Sequence, residues 1–375
     1  MGVVQSRPKS ILRVGKRVDS WFLSCCGMNV YRGCLHDCIY CDGRAEKYRV
    51  SGEFGSDVSV KINAVQLLKK QLESRRKPLP GGFVMVGGGV GDSYQSVEKD
   101  YELSRKILNL LRMKSLPVHV LTKSTLVSRD SDVLHQIQKR NKVLVSCSFS
   151  CVDDEIASVL EPNVPLPSKR LEMLSTLHDE GIDVGMYLLP IVPFISDDKS
   201  QIDAAFRQAK KCGVRFVVAD SMTLKSGRQM DFFKEKVSKM WPEKIGSILE
   251  LYGHDVYGSP KRTYASKLYE ATFSAAKKTG LPSRMPPDIY SDLLSINELV
   301  SVIFDHLFYL LSLRGKKSSF GYASYAISKL SCSLDSAQCN YADIGGVGPF
   351  SEKLIDEIVK TKRCKYYEDL LFYKK

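Results

Sequence analysis

The sequence predicts an α/β protein, a partial (β/α)6 TIM-like barrel of parallel strands with a C-terminal helical extension. Two observations predict it. Between about residues 20 and 220, short apolar, β-branched runs alternate with amphipathic runs, and six such units follow in series. Continuous apolar strands suit a sheet covered on both faces, and the helical runs supply the crossovers that parallel strands need. Right-handed crossovers curl such a sheet into a full or partial barrel, with function gathered at the carboxyl ends of the strands.

Residues 21–26 form the first strand, which ends just before a cysteine-rich loop. Residues 62–72 read as a helix and 82–86 as a buried strand. The next helix, 97–113, carries Leu103, Ile107, Leu108 and Leu111 at helical spacing. Residues 118–122 are a strand, 132–139 a short helix and 143–149 the fourth strand. A helix over 168–180 is closed by Gly181, and 184–189 is the fifth strand. The helix 199–211 is followed by Gly213, the residue type expected just past a helix end, and 216–220 is the sixth strand.

The pattern changes after about residue 225. Residues 227–260 are helical but irregular, 281–287 are proline-rich and connecting, and 293–313 form a strongly apolar helix. A small helical module runs from residue 343 to the end. The division expected is an N-terminal extension (1–19), a catalytic core (20–225), an irregular helical connection (226–298) and a helical module (299–375).

At ~100–200 residues per domain, 375 residues exceed one ordinary core. Hydrophobic content of 43% excludes a disordered chain. A net charge of +13 favours a polyanionic partner, nucleic acid or an anionic surface, although the Lys and Arg are dispersed. Residues 1–9 are polar and unlike a signal peptide, and the most apolar segment, 299–313, holds Asp305 and His306 and is too short to span a bilayer. A cytoplasmic location without membrane association is therefore expected. There the eleven cysteines are poor disulfide candidates, and clustered ones are metal ligands or catalytic groups.

Cys34, Cys38 and Cys41 stand at C-x3-C-x2-C spacing on a short loop after the first strand. Three thiolates held this closely can bind three irons of a cubane, which leaves the fourth iron open to a substrate or cofactor. The competing arrangement is a structural zinc site that recruits His36, but tetrahedral closure on so short a loop is awkward and no second C-x2-C pair follows. The run Gly87-Gly88-Gly89 after the second strand offers close backbone approach to a ligand, although a tight turn explains it as well. It is not a G-x-G-x-x-G dinucleotide site.

These residues resemble the radical S-adenosylmethionine (SAM) superfamily. Asn29-Val-Tyr-Arg-Gly-Cys34 and Cys38-Ile-Tyr40-Cys41 are similar to its spore photoproduct lyase-like branch. Asp92-Ser-Tyr94-Gln, Leu121-Thr-Lys123-Ser124, Leu160-Glu161-Pro162-Asn163 and Leu189-Pro190-Ile-Val-Pro193 continue the likeness over about residues 24–220. The resemblance implies a 4Fe-4S cluster on Cys34, Cys38 and Cys41, which are also the catalytic residues. It implies reductive cleavage of SAM to a 5′-deoxyadenosyl radical that removes hydrogen from the substrate. Tyr40, Gly87, Gly88, Gly89, Asp92, Lys123 and Ser148 are the implied SAM-binding residues. Glycines take the methionine end, Lys123 meets the carboxylate, and Ser148 offers a hydroxyl. An electron donor such as flavodoxin or ferredoxin is implied as partner.

The chain departs from that branch at two places. Gly89 stands where a hydrogen-donating cysteine is expected, and Asp42 where a tyrosine follows the third cluster cysteine. Another thiol, such as Cys147 or Cys151, could stand in for it spatially, although Cys147 reads first as a small buried residue. Cys25, Cys26, Cys332, Cys339 and Cys364 read as packing residues. Near the C-terminus, Gly346-Val-Gly348 opens a helix and resembles the second half of a helix–hairpin–helix, which implies DNA-backbone binding through Gly346, Gly348 and Lys353.

The expected function is thus a lyase-type radical SAM enzyme acting on nucleic acid, in DNA lesion repair. The alternatives are a radical SAM enzyme modifying a protein or small molecule, and a non-catalytic, zinc-stabilised nucleic-acid-binding adaptor.

Overall fold

The computed structural model describes residues 2–50, 52–88 and 90–373. Among the described residues ten strands are present: β1 (Gly2–Ser6), β2 (Arg13–Asp19), β3 (Ser24–Met28), β4 (Tyr31–Arg32), β5 (Asp57–Lys61), β6 (Phe83–Gly87), β7 (Val118–Thr122), β8 (Val143–Phe149), β9 (Asp183–Ile191) and β10 (Val217–Ser221). The main sheet has the order β10-β9-β8-β7-β6-β3-β2. Its six strands from β3 to β10 are mutually parallel, as the apolar runs predict, and only β2 is antiparallel. All five residues of β6 are buried, in keeping with a strand covered on both faces. This is the partial α/β barrel expected.

Three elements differ from the expectation. The N-terminal residues form strands that were not predicted: β2 pairs with β3 at the sheet edge, while β1 and β4 flank β5 in a second, three-stranded sheet. Almost all of β2 is exposed, so it carries no apolar pattern; Arg13, Lys16 and Arg17 suit an unpaired edge. The helix expected over 97–113 is two helices, Glu98–Tyr101 and Leu103–Met113, broken at Glu102, whose φ is +50°. The buried Glu98 carboxylate causes the break. It accepts the Ser104 N–H at 2.9 Å and pairs with Arg129 at 2.9 Å, so the second helix begins on a side-chain anion. The helix Asp154–Leu160, capped by the Asp153 carboxylate, was not anticipated.

Beyond the barrel, helix Arg262–Thr279 packs on Lys199–Lys211 and β10. Helix Ile296–Ser312 starts at a capping box of Ser295 and Glu298 and packs against helices Phe320–Ile327, Pro349–Thr361 and Lys365–Leu371. One apolar core runs from the barrel strands through these helices. Among the described residues no helix is long and apolar enough to cross a membrane.

Two buried histidines tie this core together. His119 meets the Phe22 carbonyl at 3.2 Å and Ser146 Oγ at 2.8 Å; His306 meets the Ser20 carbonyl and the Tyr367 hydroxyl, both at 2.7 Å. Burial lowers the His119 pKa to about 4, and burial followed by Arg284 repulsion lowers that of His306 to about 3. Both stay neutral in the fold at pH 5, where the unfolded chain binds their protons. Stability present above pH 6.5 is therefore lost as pH falls toward 4, by about 2 kcal/mol for each histidine at pH 5. Urea unfolding at pH 7 and pH 5 should show this loss, and His306→Gln should remove about half of it. A pH-independent midpoint would contradict the assignment.

Candidate active site

The cysteine loop leaves β4 at Gly33, where φ is +87° and a Cβ would meet the Asp57 carbonyl at 2.5 Å, so glycine is required there. Neighbouring strand ends then hold the loop. Gln95, after β6, accepts the Leu35 N–H at 2.8 Å and donates to the Gly33 carbonyl at 3.2 Å. After β8, the Leu160 carbonyl accepts the Ile39 N–H at 3.0 Å, and Asn163 Nδ2 donates to the Leu35 carbonyl at 3.0 Å. Arg44 pairs with Asp37 and lies 3.5 Å from the centre of the Phe232 ring.

Cys34 and Cys38 are buried and Cys41 half-buried. All three line one cavity of about 140 Å³ together with Tyr40, Gly88, Asp92, Lys123 and Ser148. Of the other sequence-predicted residues, Gly87 belongs to β6 and faces the neighbouring strand: a Cβ there would meet the Leu121 carbonyl at 2.4 Å. Gly89 lies outside the described residues. Burial pushes the pKa of each of the three thiols up.

Asp92 lines the cavity and also ties the protein together. Its carboxylate accepts from the backbone of Tyr94, the backbone of Lys123 and Thr122 Oγ1, each at 2.7 Å, stitching the loop after β6 to the end of β7. Burial alone would raise its pKa; the His36 ring and these backbone donors outweigh that and lower it. His36 Nε2 is 3.2 Å from Asp92 but has no well-aligned hydrogen bond among the described residues, and the ring borders the cavity.

Lys123 is less free than its sequence position implies. Its ammonium lies 2.9 Å from Glu161 Oε1, 3.1 Å from Ser148 Oγ and 5.6 Å from the centre of the Tyr40 ring. Glu161 is also bonded by Arg170 Nη2 at 2.5 Å and by the Tyr40 hydroxyl. Burial pushes the Glu161 pKa up, but Arg170, Lys123 and Tyr40 outweigh it and bring it to about 2. Ser148 Oγ donates to the Leu189 carbonyl at 2.9 Å, so it meets the cavity as an acceptor.

No role was given to Glu161 or Arg170 from sequence. One signal was available: Arg170 shares a helix face with Leu174 and Leu177, and a cation on an apolar stripe needs a buried partner. Cys147 is fully buried and does not line the cavity. It is adjacent to the cavity-facing Ser148 on β8, so it points to the opposite face, into the core. Asp42, the second departure, pairs with Lys225 and accepts the Tyr48 hydroxyl. Cys364 is buried, while Cys332 and Cys339 lie side by side with their sulfurs 3.2 Å apart.

A parallel partial barrel that encloses three cysteines at its strand ends defines an α/β enzyme built around a metal cofactor. Residues 28–215 match the family model of the Radical SAM superfamily, and the chain belongs to that superfamily. Its cofactors are a 4Fe-4S cluster and SAM. The chain is 27% identical over 237 residues to an uncharacterized protein of Mycobacterium tuberculosis, covering 62% of this chain and 68% of that one. It is 31% identical over 222 residues to an uncharacterized protein of Methanocaldococcus jannaschii, covering 59% and 78%. Spore photoproduct lyase complexed with dinucleoside spore photoproduct aligns with a TM-score of 0.52 at 12% identity, over 74% of this chain and 79% of that chain. At that identity the likeness is one of fold.

The residues fit a cluster. Among the described residues no three His, Cys, Asp or Glu side chains gather closely enough for a single metal ion. A cubane places each thiolate on a different iron, so three cysteines spread around one cavity suit it better than they suit mononuclear zinc.

Proposed function

We propose that this radical SAM enzyme acts on nucleic acid as a lyase-type enzyme of DNA lesion repair. The observation that carries the chemistry is the convergence of Cys34, Cys38 and Cys41 with Lys123 and Ser148 on one cavity. The three cysteines would hold the cluster. Gly88, Ser148 and the N–H of Lys123 not engaged by Glu161 or Ser148 would take SAM, with Tyr40 and Asp92 fixing their positions. When bound, the cluster and SAM supply an electron and a radical that removes hydrogen from the substrate. The protein orients Lys123 through Glu161, and the buried walls keep water from the reacting atoms. The electron comes from a donor such as flavodoxin or ferredoxin.

Nucleic acid as substrate is supported by the net charge of +13, by the fold shared with a lyase solved with a dinucleoside photoproduct, and by the C-terminal hairpin. Gly346 has a packing role: a Cβ would meet Tyr322 at 2.6 Å, and Ser319 Oγ bonds its carbonyl at 2.8 Å. Gly348 differs. Its φ of −130° suits any residue, and a Cβ there would meet nothing within 4 Å. It caps helix Pro349–Thr361, whose first N–H groups have no intrahelical partner, and Lys353 is exposed nearby. The open space at Gly348 leaves that helix end accessible to a phosphate.

Two experiments test this. Gly348→Ala should leave unfolding stability within about 0.5 kcal/mol yet weaken duplex binding severalfold; equal binding removes the hairpin from the proposal. Reconstituted protein incubated without oxygen with labelled SAM and irradiated DNA should consume a photoproduct or move label into DNA. Neither change, in protein that cleaves SAM, would exclude DNA lesions as substrate.

A further inference from the structure

A second cavity, of about 400 Å³, adjoins the cysteine cavity, and Gly88 lines both. Its size is within the range of about 300–1,000 Å³ common for small-ligand sites. Arg13, Arg32 and Lys61 line it, and among the described residues no carboxylate does. Arg32 Nη2 is fixed by the carbonyls of Tyr48 and Arg49 at 2.9 and 2.8 Å, and Lys61 Nζ by that of Asn29 at 2.5 Å. Arg13 forms no ion pair among the described residues, and the named partners of the other two are neutral carbonyls. Three cations thus face one space with no counter-charge among the described residues. Burial first, then repulsion from Arg32 and Arg13, lowers the Lys61 pKa to about 8.

The scaffold explains the arrangement. Arg13 opens β2, Arg32 closes β4 and Lys61 closes β5, so three chain segments distant in sequence present cations to one cavity. Asn29, which also lines this cavity, donates Nδ2 to the Val90 carbonyl at 2.8 Å. Like charges at one site destabilise it unless an anion arrives.

We propose that this cavity is a phosphate site that holds a phosphodiester of the substrate strand beside the cysteine cavity. The inference rests on the nucleic-acid reading above and names where the strand is gripped. Arg32 and Lys61 retain N–H donors beyond those spent on carbonyls, and Arg13 adds a guanidinium that can grip two phosphate oxygens at once. Such contacts fix register without reading sequence.

The test uses the full reconstituted chain and a fluorescently labelled single-stranded oligonucleotide, with affinity measured across a salt series. Arg13→Gln, at an exposed position, should weaken binding severalfold and reduce the slope of log K against log salt by about 0.7 for the lost contact. Arg13→Lys should restore most of the slope, and Lys61→Gln should act in the same direction as Arg13→Gln. Unchanged circular dichroism separates these effects from misfolding. If the wild type binds the strand and both Gln variants match it in affinity and slope, the phosphate site is wrong while nucleic acid stands. If the wild type binds no strand, the inference falls together with that reading. Inorganic phosphate bound through Arg13 without any strand binding also overturns it, because the anion would then come free in solution.

Discussion

Protein in which Cys34, Cys38 and Cys41 are all alanine, assembled without oxygen, is expected to retain no iron. The wild type should be brown, with broad absorbance that bleaches on adding dithionite. The magnitude follows from the donor set. Each thiolate would serve a different iron, and among the described residues no other group of His, Cys, Asp or Glu is gathered to replace them. Cys147→Ala and Cys25→Ala are the controls. Both cysteines are buried away from the cysteine cavity, so both variants should keep the full complement of iron. Full iron in the triple variant would sink the cluster assignment; iron lost equally in the controls would point to general unfolding.

Arg170→Met should destabilise the protein by about 3–5 kcal/mol, because it strips a buried carboxylate of its closest cation. The Arg170 and Glu161 side chains are 0% and 1% exposed, so water cannot take over the lost interaction. Lys123 and Tyr40 remain on Glu161 and keep the loss from being larger. Arg170→Met/Glu161→Gln, which removes both charges, should cost less than the sum of the two single changes, with coupling of about 1 kcal/mol or more. Denaturant unfolding of the wild type, both single variants and the double variant completes the cycle. Strict additivity would mean that the two residues do not act as a pair. Lys123 should also lose its fixed place in Glu161→Gln, so SAM affinity should fall together with stability.

Much of the fold was legible because its signals are local. The apolar runs at 118–122 and 143–149 became β7 and β8 with those bounds, since a strand covered on both faces must be apolar along its length. The helix 199–211 held because its end signal, Gly213, is a local backbone requirement. The single helix over 97–113 failed, since its break depends on Glu98 meeting Arg129 and Tyr31, neither of which is near in sequence. Edge strand β2 was invisible for the opposite reason: its partner supplies hydrogen bonds, and almost no side chain of β2 is buried.

The sequence by itself determined the sheet, the superfamily and the three sulfurs, because periodicity and cysteine spacing act within a few residues of one another. Only the tertiary structure decided that Lys123 is held by Glu161, that Asp92 serves the scaffold, and that Arg13, Arg32 and Lys61 share a cavity. Which charges face each other is settled through space, by segments far apart along the chain, and buried charges depend on their neighbours more than on their neighbourhood in sequence.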